Sequence, residues 1–225
     1  MTDRHTISQE ADFIQDELER AALEAENTLL QFDEVLDLID ETLRDGRPFR
    51  LRPSTILGLH RTAMQRVHPQ AGTFRNAGVE IGGSRHAPPH EGLVPAKVED
   101  LCEWINRHWA DKSALELCAY VMWRLNWIHP FADGNGRTTR AVAYLVLCVK
   151  AGARLPGWPT IPEQIAVDKA PYYDALEAAD LAAQDEETDL SAMMELLEGY
   201  LQKQLAAVLE AATSTEPLAG QRKFH

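Results

Sequence analysis

The chemically richest part of this sequence is a twelve-residue segment, 129–140, which reads HPFADGNGRTTR. It contains an imidazole, a carboxylate, a glycine-rich turn and two guanidinium groups in a fixed order. The side chains concerned are His129, Asp133, Arg137 and Arg140. Arginines fork onto phosphate oxygens, carboxylates hold divalent metals, and imidazoles transfer protons near neutral pH. The segment therefore predicts a site for a phosphate-bearing substrate.

The local structure of this segment follows from one proline and two glycines. Pro130 disfavours helical geometry at the residue before it, so the preceding helix should end near Ile128, and His129 should face a cleft. A tight turn comes next, and its backbone N–H groups can converge on an anion. It consists of Gly134, Asn135 and Gly136. The next helix should begin in this turn, with its positive dipole end at the same point and both arginines on one face.

These groups suit a nucleophilic attack on a nucleotide phosphate. The turn and the arginines would stabilise negative charge, Asp133 would hold a divalent metal, and His129 would take a proton from the attacking hydroxyl. Other phosphate motifs do not fit. The pattern G-x-x-x-x-G-K-[ST] is missing, and Thr139 stands where a dinucleotide fingerprint needs its third glycine. The segment also lacks the alternating acidic residues of an EF-hand.

The composition describes an acidic chain of globular type. Lys and Arg number 22 and Asp and Glu number 35 among 225 residues, so the net charge is −13. This balance argues against nucleic-acid binding, which needs a basic surface, and confines any nucleotide to a local positive pocket. We find no apolar run of membrane-spanning length and no signal peptide. We therefore expect a cytoplasmic protein with no nucleic-acid and no membrane partner, whose three cysteines are reduced core residues.

Hydrophobic periodicity predicts helix over most of the chain. The expected helices cover roughly residues 8–26, 33–45, 53–67, 95–109, 113–128, 136–149, 171–183 and 190–212. Between them, residues 72–89 alternate weakly and contain turn-forming glycines. We interpret this stretch as a short hairpin or flap, with an irregular surface loop as the alternative.

The segment resembles the signature of the Fic family, H-x-F-x-[DE]-G-N-G-R-x-x-R, and fills every specified position. The resemblance implies an all-α, Fic-type helical bundle with a short β-hairpin flap. It also implies an enzyme that transfers AMP from ATP to a Ser, Thr or Tyr hydroxyl of a target protein and releases pyrophosphate. By the same resemblance, His129 is the general base, Asp133 the Mg²⁺ ligand and Phe131 a core anchor. The phosphate-binding residues are Gly134, Asn135, Gly136, Arg137 and Arg140. The related Doc kinases carry a lysine in place of Gly136, so AMP transfer is favoured.

The resemblance extends beyond the signature. Residues 74–83 resemble the flap on which a target protein docks by strand addition. The segment from Tyr172 resembles the helix that closes the adenosine side of the pocket. Tyr172, Tyr173 and Asp180 are its candidate nucleotide contacts, although asparagine is common where Asp180 stands. Ordinary packing is the alternative for the tyrosines, and a homo-oligomer remains open.

An N-terminal inhibitory helix is also implied. Its family pattern, [ST]-x-x-x-E-[GN], matches here at Glu26 and Asn27, while Ala22 replaces the hydroxyl residue. The resemblance implies that Glu26 pairs with Arg140 and blocks the productive placement of the ATP γ-phosphate. We accordingly divide the chain into an inhibitory region (1–30), a catalytic domain (31–212) and a flexible tail (213–225). Two other functions stay open: a hydrolase that removes AMP with the help of Glu26, and a non-catalytic nucleotide-binding regulator.

Overall fold

The computed structural model describes residues 5–7, 16–46, 48–184 and 188–214. Within these ranges the chain forms eight α-helices, a short 3-10 helix (Glu91–Leu93) and two short strands, so the expected all-α class is confirmed. The strands are β1 (His5–Ile7) and β2 (Glu80–Gly82). The helices are α1 (Glu17–Asp45), α2 (Pro53–Met64), α3 (Val94–Arg107), α4 (Ala114–Ile128), α5 (Asn135–Ala151), α6 (Ile161–Val167), α7 (Ala170–Gln184) and α8 (Ser191–Ser214).

Helices α4 and α5 form the centre of the fold. Helix α5 is buried at every position from Ala141 to Val149, and α4 is buried on most sides. Helices α1, α2 and α6 pack against α5, while α3, α7 and α8 pack against α4. The loop 129–134 joins the two central helices, so the segment singled out in the sequence lies at one end of the core.

Helix α1 is a single helix where the sequence predicted two with a break between residues 26 and 33. No glycine or proline interrupts this stretch. A buried stripe with a spacing of four residues also continues through it. The stripe consists of Leu23, Asn27, Gln31, Val35 and Ile39. Leu18, in the first turn of α1, lies outside this stripe and is 83% exposed. The part of the predicted first helix over residues 8–15 lies outside the described residues.

The predicted flap differs from a hairpin. Its only described strand, β2, pairs antiparallel with the N-terminal strand β1, with Thr6 opposite Ile81. The partner strand thus comes from a distant part of the chain, which local turn chemistry could not reveal.

Helix α6, which was not predicted, has only seven residues, too few for a clear period. The cysteines Cys102, Cys118 and Cys148 are buried and free, as expected. None of the described helices combines the length and the low charge that a membrane-spanning helix needs. The predicted tail (213–225) lies almost wholly outside the described residues.

Candidate active site

A cavity of about 360 Å³ opens at the end of the central helices. This volume is within the range of small-ligand pockets. Most of the predicted site residues line it: His129, Asp133, Gly134, Asn135, Gly136, Arg137, Arg140, Tyr172 and Tyr173. Five further residues line it that the sequence did not single out, namely Thr6, Arg20, Ile81, Asn126 and Lys169. Glu26 and Asp180 do not line it.

His129 terminates α4 in a left-handed conformation, with φ 50° and ψ 60°. Its backbone N–H still donates to Leu125 O at 3.0 Å, while the ring turns into the cavity. The ring Nδ1 lies 3.3 Å from the carbonyl oxygen of Asn126. Because a carbonyl can only accept, Nδ1 carries the proton of the neutral ring, and Nε2 is left as an acceptor. Thr6 Oγ1 lies 2.8 Å from Nε2. His129 is thus oriented to receive a proton from a hydroxyl.

Asn135 holds the loop between the helices closed. Its Oδ1 accepts from Phe131 N–H at 2.9 Å and its Nδ2 donates to Phe131 O at 2.8 Å. Phe131 is fully buried, in agreement with its predicted role as a core anchor. Gly134 has φ 75°, and a Cβ there would lie 2.6 Å from Met64 Sδ. The turn therefore requires glycine for its backbone conformation and for space.

His60 and Arg75 support this loop from outside the segment. The His60 ring stacks on Phe131 at 3.6 Å, and its Nε2–H donates to Asp133 O at 3.0 Å. Its Nδ1 accepts from Gly72 N–H at 2.9 Å, and burial lowers its pKa to about 4, so the ring is neutral. Arg75 donates from Nε to His129 O at 2.8 Å. Nothing in the spacing of either residue distinguished it in the sequence, since these contacts cross between elements.

The start of α5 forms an anion-binding turn. No side chain caps the helix at Gly134, and the first residues of α5 line the cavity, so N–H groups of the first turn are available to an anion there. Beside them lies Arg140, whose pKa is lowered by burial. Within the described ranges, no carboxylate forms an ion pair with Arg140. A desolvated cation without an acidic partner is costly, and a bound anion would offset that cost. This end of the cavity is therefore suited to phosphate.

Asp133 is engaged by other side chains. Its Oδ2 lies 2.8 Å from Arg20 Nη2 and 3.8 Å from Arg137, and its Oδ1 accepts from Gly134 N–H at 2.6 Å. The part of the chain described here contains no cluster of three or more potential metal ligands. Mg²⁺ in nucleotide sites needs only one or two carboxylates besides the phosphates. Asp133 meets that requirement once Arg20 moves away from it.

Helix α7 brings Tyr172 and Tyr173 to the opposite wall. Tyr172 is buried, and its hydroxyl accepts from Asn126 Nδ2 at 2.6 Å. Tyr172 thereby fixes α7 to α4, as its packing interpretation requires. It also lines the cavity, and its contact with a nucleotide stays a prediction. Asp180 lies two turns further along and accepts from Trp123 Nε1 at 3.0 Å. Its carboxylate therefore faces α4 rather than the cavity.

Residues 50–147 match the model of the Fic/DOC family. This part of the chain is a Fic domain. The chain is 31% identical over 162 residues to the protein adenylyltransferase Fic of Drosophila persimilis and 31% identical over 160 residues to that of Aedes aegypti. Each alignment covers 70% of this chain but only 29% and 30% of the relatives, respectively. The chain thus spans less than a third of their length.

Solved structures of Fic proteins share the fold. Fic-1 from C. elegans superposes with a TM-score of 0.67 at 22% identity, covering 86% of this chain and 54% of that one. A Fic family protein from Desulfovibrio desulfuricans gives a TM-score of 0.63 at 23% identity, with coverages of 90% and 56%. The helical arrangement around the Fic motif is therefore the arrangement of this family.

The predicted ion pair between Glu26 and Arg140 is wrong for this Fic domain. Glu26 is exposed and does not contact Arg140. Instead, Glu24 Oε2 lies 3.4 Å from Arg137 Nη1, and Glu24 also accepts from Arg20 Nε at 3.0 Å. Successive helical residues are rotated by about 100°, so positions 24 and 26 point about 200° apart. Because the buried stripe directs Asn27 toward the core, where it donates to Gln65 O at 2.8 Å, Glu24 faces the motif and Glu26 faces solvent.

Proposed function

We propose that this chain is a protein adenylyltransferase: it transfers AMP from ATP to a Ser, Thr or Tyr hydroxyl of a target protein and releases pyrophosphate. The observation that carries the proposal is Arg140, a desolvated cation without a described acidic partner, which lies beside the uncapped start of α5 and lines the same cavity as His129. The curated relatives from Drosophila persimilis and Aedes aegypti, each named protein adenylyltransferase Fic, support the same activity.

The geometry supports a chemical role for each of these groups. The N–H groups at the start of α5 and the guanidinium groups of Arg137 and Arg140 bind the phosphates and stabilise the charge that develops during transfer. His129 Nε2 accepts the proton of the attacking hydroxyl, while Nδ1–H, held by Asn126 O, keeps the ring in the correct tautomer. Mg²⁺, held by Asp133 together with the phosphates, would supply further charge neutralisation.

The flap provides the docking edge for the target protein. Strand β2 ends in Gly82 and lies beside the cavity through Ile81. An extended target segment that took the place of β1 on β2 would receive main-chain hydrogen bonds from the flap and place alternate side chains toward the cavity. This supports docking at residues 74–83 as the means by which a hydroxyl reaches His129.

We further propose that the closed arrangement is autoinhibited through α1, by Arg20 and Glu24. Arg20 forms an ion pair with Asp133, the proposed metal ligand, and Glu24 forms one with Arg137, a proposed phosphate ligand. In this proposal residues 1–30 contain the inhibitory elements, residues 31–212 form the catalytic domain and residues 213–225 form a tail. The continuity of α1 across residue 30 means that activation would involve bending or displacing one end of a helix rather than moving a separate one.

The test is incubation with Mg²⁺ and ATP labelled at the α-phosphate, with and without added bacterial lysate proteins as acceptors. We expect weak labelling of protein by the wild type, stronger labelling by Arg20→Ala, and none by Arg20→Ala combined with His129→Ala. Label from α-labelled but not γ-labelled ATP separates AMP transfer from phosphate transfer. The function would be refuted if no variant labels any protein while all of them bind ATP, a result that would favour a nucleotide-binding regulator.

A further inference from the structure

The N-terminal strand β1 occupies the edge of the flap. It pairs antiparallel with β2 in a defined register, with His5 opposite Gly82, Thr6 opposite Ile81 and Ile7 opposite Glu80. This is strand addition by a segment of the same chain. The edge proposed above for a target protein is therefore filled in cis.

The pairing brings the Thr6 hydroxyl to the proposed base. Thr6 Oγ1 lies 2.8 Å from His129 Nε2 and accepts from Asn135 Nδ2 at 3.3 Å. Since His129 Nδ1 donates to a carbonyl, Nε2 has a lone pair toward Thr6, and the hydroxyl proton points at Nε2. This hydroxyl has the arrangement that general-base activation requires, within 2.6–3.2 Å of the base as a rule.

Thr6 also lies on the same cavity as the phosphate-binding groups. Gly136, Arg137 and Arg140 line the cavity together with Thr6 and His129. A nucleotide bound through those groups would share a continuous space with the Thr6 oxygen. Holding nucleophile, base and phosphate in one site replaces a bimolecular encounter with an intramolecular one.

We propose that Thr6 is a self-modification site, AMPylated in cis by its own active site; this rests on the AMP-transfer function proposed above. In the step, Thr6 Oγ1 forms a bond to the α-phosphorus of ATP while the bond from that phosphorus to the bridging oxygen breaks. The hydroxyl proton passes to His129 Nε2, and pyrophosphate leaves with the electron pair of the broken bond. The products are Thr6–O–AMP, pyrophosphate and one proton, so the reaction needs no reactant besides ATP.

Two consequences distinguish this step from modification of a foreign target. The yield is limited to one AMP at Thr6 per chain, and its rate per chain is independent of protein concentration. Attached AMP also prevents the same hydroxyl from reacting again, so labelling at Thr6 follows a single exponential to a plateau.

The experiment uses the full chain, as wild type and with Arg20→Ala, incubated with Mg²⁺ and ATP and mapped by peptide mass spectrometry. Fragmentation must separate Thr6 from Thr2 and Ser8, the neighbouring hydroxyl residues. We expect AMP on Thr6, retained in Thr6→Ser and reduced to the level of His129→Ala in Thr6→Val, which has the same shape without the hydroxyl. The labelled fraction at a given time should not change on tenfold dilution.

The alternative outcomes separate this inference from the proposed function. Label on added lysate proteins with none on Thr6 would support AMP transfer and overturn the Thr6 assignment. Label on no protein in any variant would overturn both. In a mixture of active Thr6→Val chains with tagged His129→Ala chains, AMP on Thr6 of the tagged chain would overturn transfer in cis.

Discussion

Replacing Arg20 with alanine should increase the sensitivity of AMP transfer to Mg²⁺. The Arg20 guanidinium lies 2.8 Å from Asp133 Oδ2, and the two side chains are 26% and 32% exposed. A hydrogen bond between charged groups contributes about 1.5–3 kcal/mol, and solvent screening at this exposure lowers the value toward about 1 kcal/mol. Since about 1 kcal/mol changes an equilibrium roughly fivefold, Arg20→Ala should lower the half-saturating Mg²⁺ concentration about fivefold.

The assay measures initial rates of label transfer at fixed ATP over a range of Mg²⁺ concentrations. Arg44→Ala is the matched control, because it removes the same charge from an exposed position on the same helix. Glu26→Gln, at the exposed position where the sequence predicted inhibition, should also leave the Mg²⁺ dependence unchanged. The reasoning is refuted if Arg20→Ala and Arg44→Ala shift the half-saturating concentration equally, or if neither shifts it.

Three further predictions concern the loop that holds the motif. Gly134→Ala should lower stability, measured by urea unfolding, and ATP affinity, measured by calorimetry, more than Gly152→Ala does. Both glycines have φ 75°, but only a Cβ at position 134 would meet a buried sulfur atom, at 2.6 Å. Asn135→Ala leaves the buried Phe131 N–H and C=O without partners and should cost roughly 2–4 kcal/mol of unfolding free energy, with a smaller loss for Asn135→Asp, which keeps the acceptor. Burial lowers the pKa of His60 from 6.5 to about 4. The contribution of the neutral ring to the free energy of unfolding is therefore complete above pH 6.5 and is lost as the pH falls toward 4. Stability should therefore fall by roughly 2 kcal/mol between pH 7 and 5, a slope missing from His60→Gln; an equal slope in both chains would contradict the argument.

The extent of sequence-based prediction differed between local and non-local features. The end of α4 before Pro130, the tight turn that begins at Gly134 and the start of α5 depend on backbone geometry over a few residues, and all three were predicted. The continuity of α1 over residues 17–45 was not predicted: two helices were expected, although no glycine or proline marked the expected break. Continuous burial of one stripe, which depends on the partner helices, extended α1 through it.

Within the site, the sequence identified the cavity-lining groups of residues 129–140 and the two tyrosines of α7. It did not identify His60 or Arg75, which contact the loop from α2 and from the start of the flap. Nor did it identify Arg20, which contacts Asp133 across 113 positions of the chain, or Thr6, which contacts His129 across 123. Contacts of this kind require two elements to pack at a particular angle and register, which no local pattern specifies.

Twelve consecutive residues place an imidazole, a carboxylate, a glycine-rich turn and two guanidinium groups at the junction of two helices, and these groups can be identified without any structure. The other side chains that contact them depend on how the helices and strands pack. The rotation of α1 against the core turns Glu24 toward the motif and Glu26 to solvent, and the register of β1 on β2 places Thr6 at His129. The physical reason is that local sequence fixes backbone dihedrals and the spacing of side chains along an element, whereas the direction in which each side chain points is set by the packing of whole elements.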